Sequence, residues 1–152
     1  MSSTDRIEKR VTLKAPRARV WKALTDATQF GKWFGAKLEG PFTPGATTRG
    51  RITIPNYDHL TIEFFVERIE PESYFSYRWH PHAVDAAFDY SKEPTTLVEF
   101  RLEQEGDSTV LTIIESGFDR IPIARRAEAF RMNSEGWAQE ARNIENLSLI
   151  HI

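Results

Sequence analysis

The fold is decided by residues 123–146, whose sequence is IARRAEAFRMNSEGWAQEARNIEN. Apolar and small residues recur there at spacings of three and four, which is the period of one helix face. The predicted inward face comprises Ile123, Ala127, Phe130, Ser134, Trp137, Ala141 and Ile144. The opposite side is mostly charged. A helix of this length extends about 35 Å, so we expect it to cross a whole sheet and close the core.

Gly136 lies in the middle of this predicted helix. A glycine there costs roughly 1 kcal/mol relative to alanine, so it suggests that something approaches the helix closely. Tight packing against an aromatic side chain of the sheet is one interpretation. Space left for a ligand beneath the helix is the other.

The segment before the helix has the pattern of an antiparallel sheet. Short runs of alternating apolar and polar residues are separated by Gly and Pro turns. The predicted strands are 47–54, 60–70, 73–79, 96–105 and 109–116. Turn-to-turn distances this short favour hairpins over crossover connections. Residues 80–94 are too many for a hairpin turn and predict a long loop, which could serve as a lid.

The opening of the chain predicts one strand followed by two short helices. Apolar residues alternate with polar ones over residues 7–14, and Pro16 suits the start of a helix over 17–25. Asp26 can cap a second helix, with Gln29 in capping-box position. Together the elements predict an α+β fold in which a curved antiparallel sheet surrounds a long C-terminal helix.

Five local motifs occur in order along the chain. They are Trp21-x-x-Leu24-Thr25-Asp26, Phe30-Gly31-x-Trp33-Phe34, Tyr77-x-Trp79, Glu115-Ser116-Gly117-Phe118 and Asn133-x-x-Gly136-Trp137. Over about residues 6–146 they resemble the heat-shock protein 90 ATPase activator homologue family of the START-like (SRPBCC) superfamily. The resemblance implies the helix-grip, Bet v-like fold. It also implies a cavity between sheet and long helix that accepts lipids, polyketides or hormones. The eukaryotic chaperone activators carry an additional amino-terminal chaperone-binding domain, to which nothing in this sequence corresponds.

Composition excludes several classes of protein. The 152 residues are 40% hydrophobic and 28% charged, with no cysteine and a net charge of -2. Disulfides and thiolate chemistry are therefore absent, and nothing favours nucleic acid or an anionic membrane as a partner. No run approaches the roughly 20 apolar residues of a membrane span, and no secretory signal can be read in the opening residues Met1–Arg6. We expect a cytoplasmic protein.

The predicted cavity would be lined mainly by aromatic residues. The candidate ligand-binding residues are Trp33, Phe34, Phe64, Phe75, Tyr77, Trp79, Glu115, Phe118, Phe130 and Trp137. An aromatic stripe at strand spacing is also typical of a packed core, which is the alternative interpretation. Large rings with polar tips favour a pocket, because buried Tyr and Trp usually need a hydrogen-bond partner.

Glu115 is the one weak catalytic candidate. It shares a strand face with Leu111 and Ile113, so we expect it to point inward. A buried carboxylate needs a hydrogen-bond partner or has a raised pKa, and it could anchor a ligand hydroxyl or act as a general base. The alternative is a strand-end side chain that turns to solvent or pairs with an arginine.

No motif predicts a metal or a cofactor. His80, His82, Asp85 and Asp89 supply suitable ligand types, but they lie in a predicted loop beside a proline. The sequence has no dinucleotide fingerprint, phosphate loop, H-E-x-x-H or G-x-S-x-G motif. We expect neither a metal site nor a cofactor.

The last six residues, 147–152, break from the charged helix before them. They resemble the translation of a transposase mosaic end used in sequencing libraries, so we expect a START-like domain over 1–146 and a non-native tail. Three functions remain for the domain. We rank first a binding module for an apolar or aromatic small molecule, then a cyclase- or hydrolase-type enzyme using the same cavity. A chaperone-associated partner protein is the third; the ligand and the oligomeric state are left open.

Overall fold

A computed structural model describes residues 5–85 and 87–150, with side chains described as far as Leu147. The strands are β1 (Arg6–Leu13), β2 (Ala36–Leu38), β3 (Thr47–Ile52), β4 (Thr61–Glu70), β5 (Tyr74–Trp79), β6 (Thr96–Glu105) and β7 (Ser108–Ser116). The helices are α1 (Arg17–Thr25), α2 (Ala27–Phe34) and α3 (Ile123–Ile150), with a 3-10 turn at Phe118–Arg120. The five predicted strands are confirmed to within two residues at each end. β2 was not predicted, because three residues are too few to show an alternation.

All the described strands form one antiparallel sheet in the order β1-β7-β6-β5-β4-β3-β2. The first strand therefore pairs with the last, with Arg6 opposite Ser116 and Leu13 opposite Thr109. A register shift between Val66 and Arg68 marks an irregularity in β4. α3 packs on the sheet and closes the core, so the predicted helix-grip architecture is confirmed.

The face that α3 presents to the sheet agrees only in part with the one that apolar spacing predicts. Its buried residues are Ala129, Trp137 and Ile144, whereas Ala127 is exposed and Ile123 is 83% exposed. Trp137 and Ile144 confirm part of the predicted face, and Phe130 packs against the core, whereas Ile123 and Ala127 do not belong to it. The difference arises because the inward face of α3 includes polar side chains that form hydrogen bonds inside the protein. A prediction based on hydrophobicity alone assigns such side chains to solvent.

Gly136 is exposed, and an added Cβ would have no atom within 4 Å. Both interpretations of this glycine as a point of close approach or of space for a ligand are therefore wrong. It lies on the solvent side of α3, where its only described consequence is the general helix penalty of glycine.

The two opening helices form as the sequence predicts. The Asp26 side chain accepts a hydrogen bond from the Gln29 backbone N–H at 3.0 Å, which caps α2. Gly35 ends α2 in the left-handed conformation, with φ of 90°. An added Cβ at Gly35 would lie 2.8 Å from the Ile54 side chain, which would have to move, but it is the left-handed backbone that favours glycine there.

The helical conformation of α3 continues through Ile150, and Leu147 packs against the edge of the core. The expectation that 147–152 is non-native stays a prediction, and its last two residues lie outside the described part of the chain. None of the described helices combines the length and the apolar character needed to cross a bilayer.

Candidate functional site

A buried carboxylate joins the sheet to α3. Glu115, near the end of β7, is fully buried and accepts hydrogen bonds from four side chains. Trp79 Nε1 donates to Oε2 at 2.8 Å and the Thr96 hydroxyl donates to the same oxygen at 2.5 Å. From α3, Trp137 Nε1 donates to Oε1 at 2.8 Å, and Asn133 Nδ2 contacts both oxygens at 2.9 and 3.1 Å. We call these five residues the Glu115 cluster.

The strand register explains how the cluster assembles. Glu115 lies opposite Val98 on β6, and Thr96 is the residue two places before Val98 on the same face. Thr96 in turn lies opposite Trp79 at the end of β5. Three strand ends therefore bring these side chains together on the face that α3 covers.

Burial and hydrogen bonding act on Glu115 in opposite directions. Burial raises the pKa of the Glu115 carboxyl, and the hydrogen bonds from the cluster's four donors lower it, with the net direction upward. The prediction that Glu115 points inward is confirmed. The alternative in which it turns to solvent or pairs with an arginine is wrong, because its partners are two indoles, a hydroxyl and an amide.

Aromatic rings pack around this cluster. The rings of Trp79 and Trp137 stack with centroids 5.7 Å apart. Phe34, at the end of α2, lies 5.8 Å from Trp79 and 6.4 Å from Trp137. Phe64 lies 5.9 Å from Trp79 on the sheet side. Phe34 alone among these four is half-exposed, so it forms the outer cover of the aromatic group.

Tyr77 adds a polar group to the same interior. Its side chain is fully buried, with its ring 5.2 Å from that of Trp79, and its hydroxyl has no hydrogen-bond partner among the described residues. Burial first, and then the negative charges of Glu115 and Glu140, raise the pKa of the Tyr77 hydroxyl well above its ordinary value. The hydroxyl therefore stays protonated and is a buried donor without an acceptor.

Glu140 lies on α3 three residues after Trp137 and is half-buried. The Asn143 amide donates to its Oε1 at 2.7 Å and to the backbone carbonyl of Trp33 at 3.1 Å. Burial raises the pKa of Glu140 to about 8, with the Asn143 hydrogen bond acting in the opposite direction. This carboxyl is therefore mostly protonated at pH 7.

The structure divides the predicted ligand-binding residues into three groups. Phe34, Phe64, Tyr77, Trp79, Glu115 and Trp137 lie together. Trp33 and Phe75 adjoin this group but have other partners as well: Trp33 donates its Nε1 to the Ala23 carbonyl at 2.8 Å, and Phe75 stacks on Phe100. Phe118 and Phe130 form a separate edge-to-face pair at 5.2 Å near the start of α3.

Arg125 of α3 forms hydrogen bonds to the loop over residues 80–95. The guanidinium donates to the backbone carbonyls of Pro81 and His82 and to Glu93, all at 2.9 to 3.1 Å. It also lies 4.8 Å from the ring centre of Tyr90. The two ends of this loop adjoin Trp79 and Thr96, so Arg125 holds a loop that begins and ends at the Glu115 cluster.

The described residues contain no group of three potential metal ligands. His82 Nε2 lies 3.7 Å from a Glu128 oxygen, and the ring of His80 packs against Phe65 at 5.9 Å. Two clefts, of about 530 and 410 Å³, lie beside β3 and border Thr47. Neither borders the Glu115 cluster or the rings around it.

Sequence reasoning missed four residues of this region. They are Thr96, Asn133, Glu140 and Arg125. Asn133 lies four residues before Trp137 and therefore on the same helix face, which is the pattern that could have identified it. Thr96 could have been found from its place two residues before the apolar Val98. Glu140 and Arg125 carry charges that helix patterning assigns to solvent, and no pattern in the sequence distinguishes them from their exposed neighbours.

Comparison with known proteins identifies relatives of the whole domain. The family model described as activator of Hsp90 ATPase homolog 1-like protein matches residues 14–148. No curated protein matches the chain.

Solved structures share the fold. DynU16, described as a putative protein in the dynemicin biosynthetic locus, is 26% identical with a TM-score of 0.70, over 93% of this chain and 46% of DynU16. The chain therefore spans about half the length of DynU16. Protein MLL2253 from Mesorhizobium loti is 22% identical with a TM-score of 0.73, over 93% of this chain and 95% of its own. The Aha1 dimer from Colwellia psychrerythraea is 18% identical with a TM-score of 0.69, over 93% of each chain.

Proposed function

The chain belongs to the activator of Hsp90 ATPase homolog 1-like family, and from that premise we propose that it is a binding module for a small aromatic or apolar molecule. The ligand would lie between the sheet and α3, against Trp79 and Trp137. Its hydrogen-bonding contact would be the Tyr77 hydroxyl.

The observation that carries this proposal is the buried Tyr77 hydroxyl without a partner. Leaving a buried donor unpaired costs about 1–3 kcal/mol, and native proteins pair such groups with protein, ordered water or ligand. Small-molecule pockets are mostly apolar with a few placed polar groups. One hydroxyl among stacked indoles and phenyl rings has that composition.

Neither of the two clefts beside β3 borders this interior, and we expect a ring to move when the ligand binds. Phe34 is the ring best placed to do so. It is half-exposed and is the last residue of α2, directly before Gly35, whose left-handed backbone ends the helix. Turning Phe34 outward would uncover the faces of Trp79 and Trp137 to a flat ligand.

The geometry favours binding over the enzyme alternative. A general base needs an oxygen free to take a proton from a substrate, and both oxygens of Glu115 already accept hydrogen bonds from the cluster. The chaperone-partner alternative takes its support from the family description alone. DynU16, as a putative protein of a biosynthetic locus, supports an association of this fold with small-molecule chemistry.

A thermal-shift screen of the full chain against fatty acids, flavonoids, polyketides and sterols tests the proposal. A ligand at 100 times its dissociation constant adds about 2.7 kcal/mol of stability, which is about 5–10 °C in a domain of this size. We expect a dose-dependent rise with at least one aromatic class. No shift with any of the four classes would contradict the proposal.

Two neighbouring hydroxyls supply a matched control for the site. Tyr77→Phe removes the inward hydroxyl of β5, and Ser76→Ala removes a buried hydroxyl from the opposite face of the same strand. The ligand-induced shift should shrink in Tyr77→Phe and persist in Ser76→Ala. Equal loss in both variants would show that binding does not take place at Tyr77.

A further inference from the structure

Asn143 of α3 connects the end of α2 to the long helix. Its Nδ2 donates to the backbone carbonyl of Trp33 at 3.1 Å. That carbonyl belongs to the last turn of α2, and the carbonyls of a last turn have no partner within their own helix. The next residue is Phe34, the half-exposed end of α2. Asn143 therefore supplies a hydrogen bond that α2 cannot make for itself, at the residue before Phe34.

The side chain of Asn143 is held in place by its own helix. Its Oδ1 accepts a hydrogen bond from Gln139 Nε2 at 2.9 Å. Its Nδ2 donates to Glu140 Oε1 at 2.7 Å as well as to Trp33. An asparagine amide has two N–H groups and one carbonyl oxygen, so these neighbours leave one N–H directed at α2.

The bond from Asn143 acts directly on the backbone at Phe34. The Trp33 carbonyl and the Phe34 nitrogen belong to one planar peptide group, so a restraint on the carbonyl sets the direction in which the chain enters Phe34. The indole of Trp33 is held separately, by the Ala23 carbonyl of α1 at 2.8 Å. After Phe34, the Gly35 carbonyl accepts a hydrogen bond from the Thr53 N–H at 2.9 Å. Phe34 thus lies between two points that other elements hold.

The ring of Phe34 is the part of this turn that covers the interior. Its centroid lies 5.8 Å from that of Trp79 and 6.4 Å from that of Trp137. Phe30, one turn earlier on α2, is fully buried, whereas Phe34 is only half-buried. An outward turn of Phe34 therefore exposes less apolar area and costs less free energy than the same movement of Phe30.

We propose that Asn143 is a positioning residue that holds Phe34 over Trp79 and Trp137, and that this end of the core opens when the bond from Asn143 to Trp33 breaks. The last turn of α2 then moves between its attachments to α1 and to Thr53. The Glu115 cluster stays formed, because its members lie on the strand ends and on α3. Only the use of this opening by an entering ligand rests on the proposed function.

Hydrogen exchange at the Gly35 amide tests the inference on the full chain without a ligand. This N–H donates to the Gly31 carbonyl at 2.8 Å, so it exchanges when the last turn of α2 opens. In the wild type the exchange rate should depend only weakly on urea, because a local opening exposes little surface. In Asn143→Leu the rate should rise about tenfold, which is the effect of one net hydrogen bond. Asn146→Leu, at an exposed position of the same helix, is the matched control and should leave the rate unchanged.

A double-mutant cycle connects Asn143 to the ring of Phe34. Asn143→Leu and Phe34→Ala should each lower the equilibrium constant for folding. If Asn143 acts by holding the Phe34 ring, the double variant should lose less than the product of the two separate effects, by about threefold or more. Chemical denaturation of the four proteins measures these constants. Independent effects are what a side chain that only stabilises α3 would give, and they would overturn the inference.

The remaining outcomes are equally distinct. An unchanged Gly35 rate in Asn143→Leu would show that the opening of α2 does not break the bond to Trp33. A Gly35 rate that rises with urea as steeply as global unfolding would show that this end of the core does not open by itself. Either result would overturn the inference and leave the proposed function to the thermal-shift screen. An empty screen together with the expected exchange would overturn the proposed function alone.

Discussion

The Glu115 cluster and the Tyr77 hydroxyl are two polar regions in the interior of the protein, and they differ in how fully their hydrogen bonds are satisfied. Glu115 is a buried acceptor with donors on both oxygens. Tyr77 is a buried donor with no acceptor among the described residues. The first region has every partner it needs from the chain itself, which is what a structural polar network requires. The second has no such partner in the described part of the chain, and this is the observation behind the proposed binding site.

The largest expected effect is the loss of the satisfied acceptor. Glu115→Leu leaves two indole N–H groups, a hydroxyl and an amide without their acceptor, and we expect it to lower the free energy of unfolding by about 3–5 kcal/mol. Urea unfolding followed by fluorescence measures the change. Glu103→Leu, at an exposed position of β6, is the control. Equal stability of the two variants would show that the hydrogen bonds to Glu115 do not stabilise the fold, and the contrast with the unpaired Tyr77 hydroxyl would be lost.

Glu140 of α3 should make the stability of the folded protein depend on pH. Its folded pKa of about 8 exceeds its ordinary value of 4.5, so the folded state binds the proton more tightly than the unfolded chain does. The contribution is fully present below about pH 4.5 and is lost as the pH rises through 8. Glu140→Gln should therefore be about 2–3 kcal/mol more stable than the wild type at pH 9, allowing for partial exposure.

The comparison at pH 4 is the control for Glu140. There both side chains are neutral, and the two proteins should have closely similar unfolding free energies. Glu115 also has a raised pKa, but it is present in both proteins and cancels in the difference. A constant difference between pH 4 and 9 would contradict the burial of the Glu140 carboxyl.

A substitution of Arg125 tests how much the loop over residues 80–95, whose ends adjoin the Glu115 cluster, contributes to stability. Arg125→Ala removes the contacts to Glu93, to two carbonyls and to Tyr90, and we expect a loss of about 1–2 kcal/mol. Amide hydrogen exchange should speed up most within residues 80–95. Arg131→Ala, an exposed arginine of the same helix, should change neither quantity. Faster exchange spread evenly over the sheet would show that Arg125 does not act through the loop.

The smallest expected effect is that of Tyr77→Phe on the unliganded protein. Removing an unpaired buried hydroxyl leaves the ring in place, so stability should be unchanged or higher by up to about 1 kcal/mol. Chemical denaturation measures it beside Ser76→Ala. If the free energy of unfolding fell by about 2 kcal/mol or more, the Tyr77 hydroxyl would have a partner within the protein. It would then be a satisfied group, as Glu115 is.

Much of the fold could be predicted because strand alternation and turn residues are local properties. The helix face could be predicted only in part: Trp137 and Ile144 lie on it as expected, but its polar members Asn133 and Glu140 find their partners only in the folded protein. Glu115 was placed correctly because its strand neighbours Leu111 and Ile113 fix the face. Its partners belong to elements 18 to 36 residues away, and nothing local to Glu115 indicates them.

The pairing of β1 with β7 has a consequence for the synthesis of this protein. Leu13 leaves the ribosome about a hundred residues before Ser116, so at 5–20 residues per second β1 waits roughly 5–20 s for its partner. An unpaired strand edge is a site for association with other chains. β1 alternates its apolar residues with charged ones such as Arg6, Glu8 and Arg10. Charged side chains on an unpaired strand are one way in which proteins limit edge-to-edge association, so we expect them to protect β1 during the interval before β7 is made.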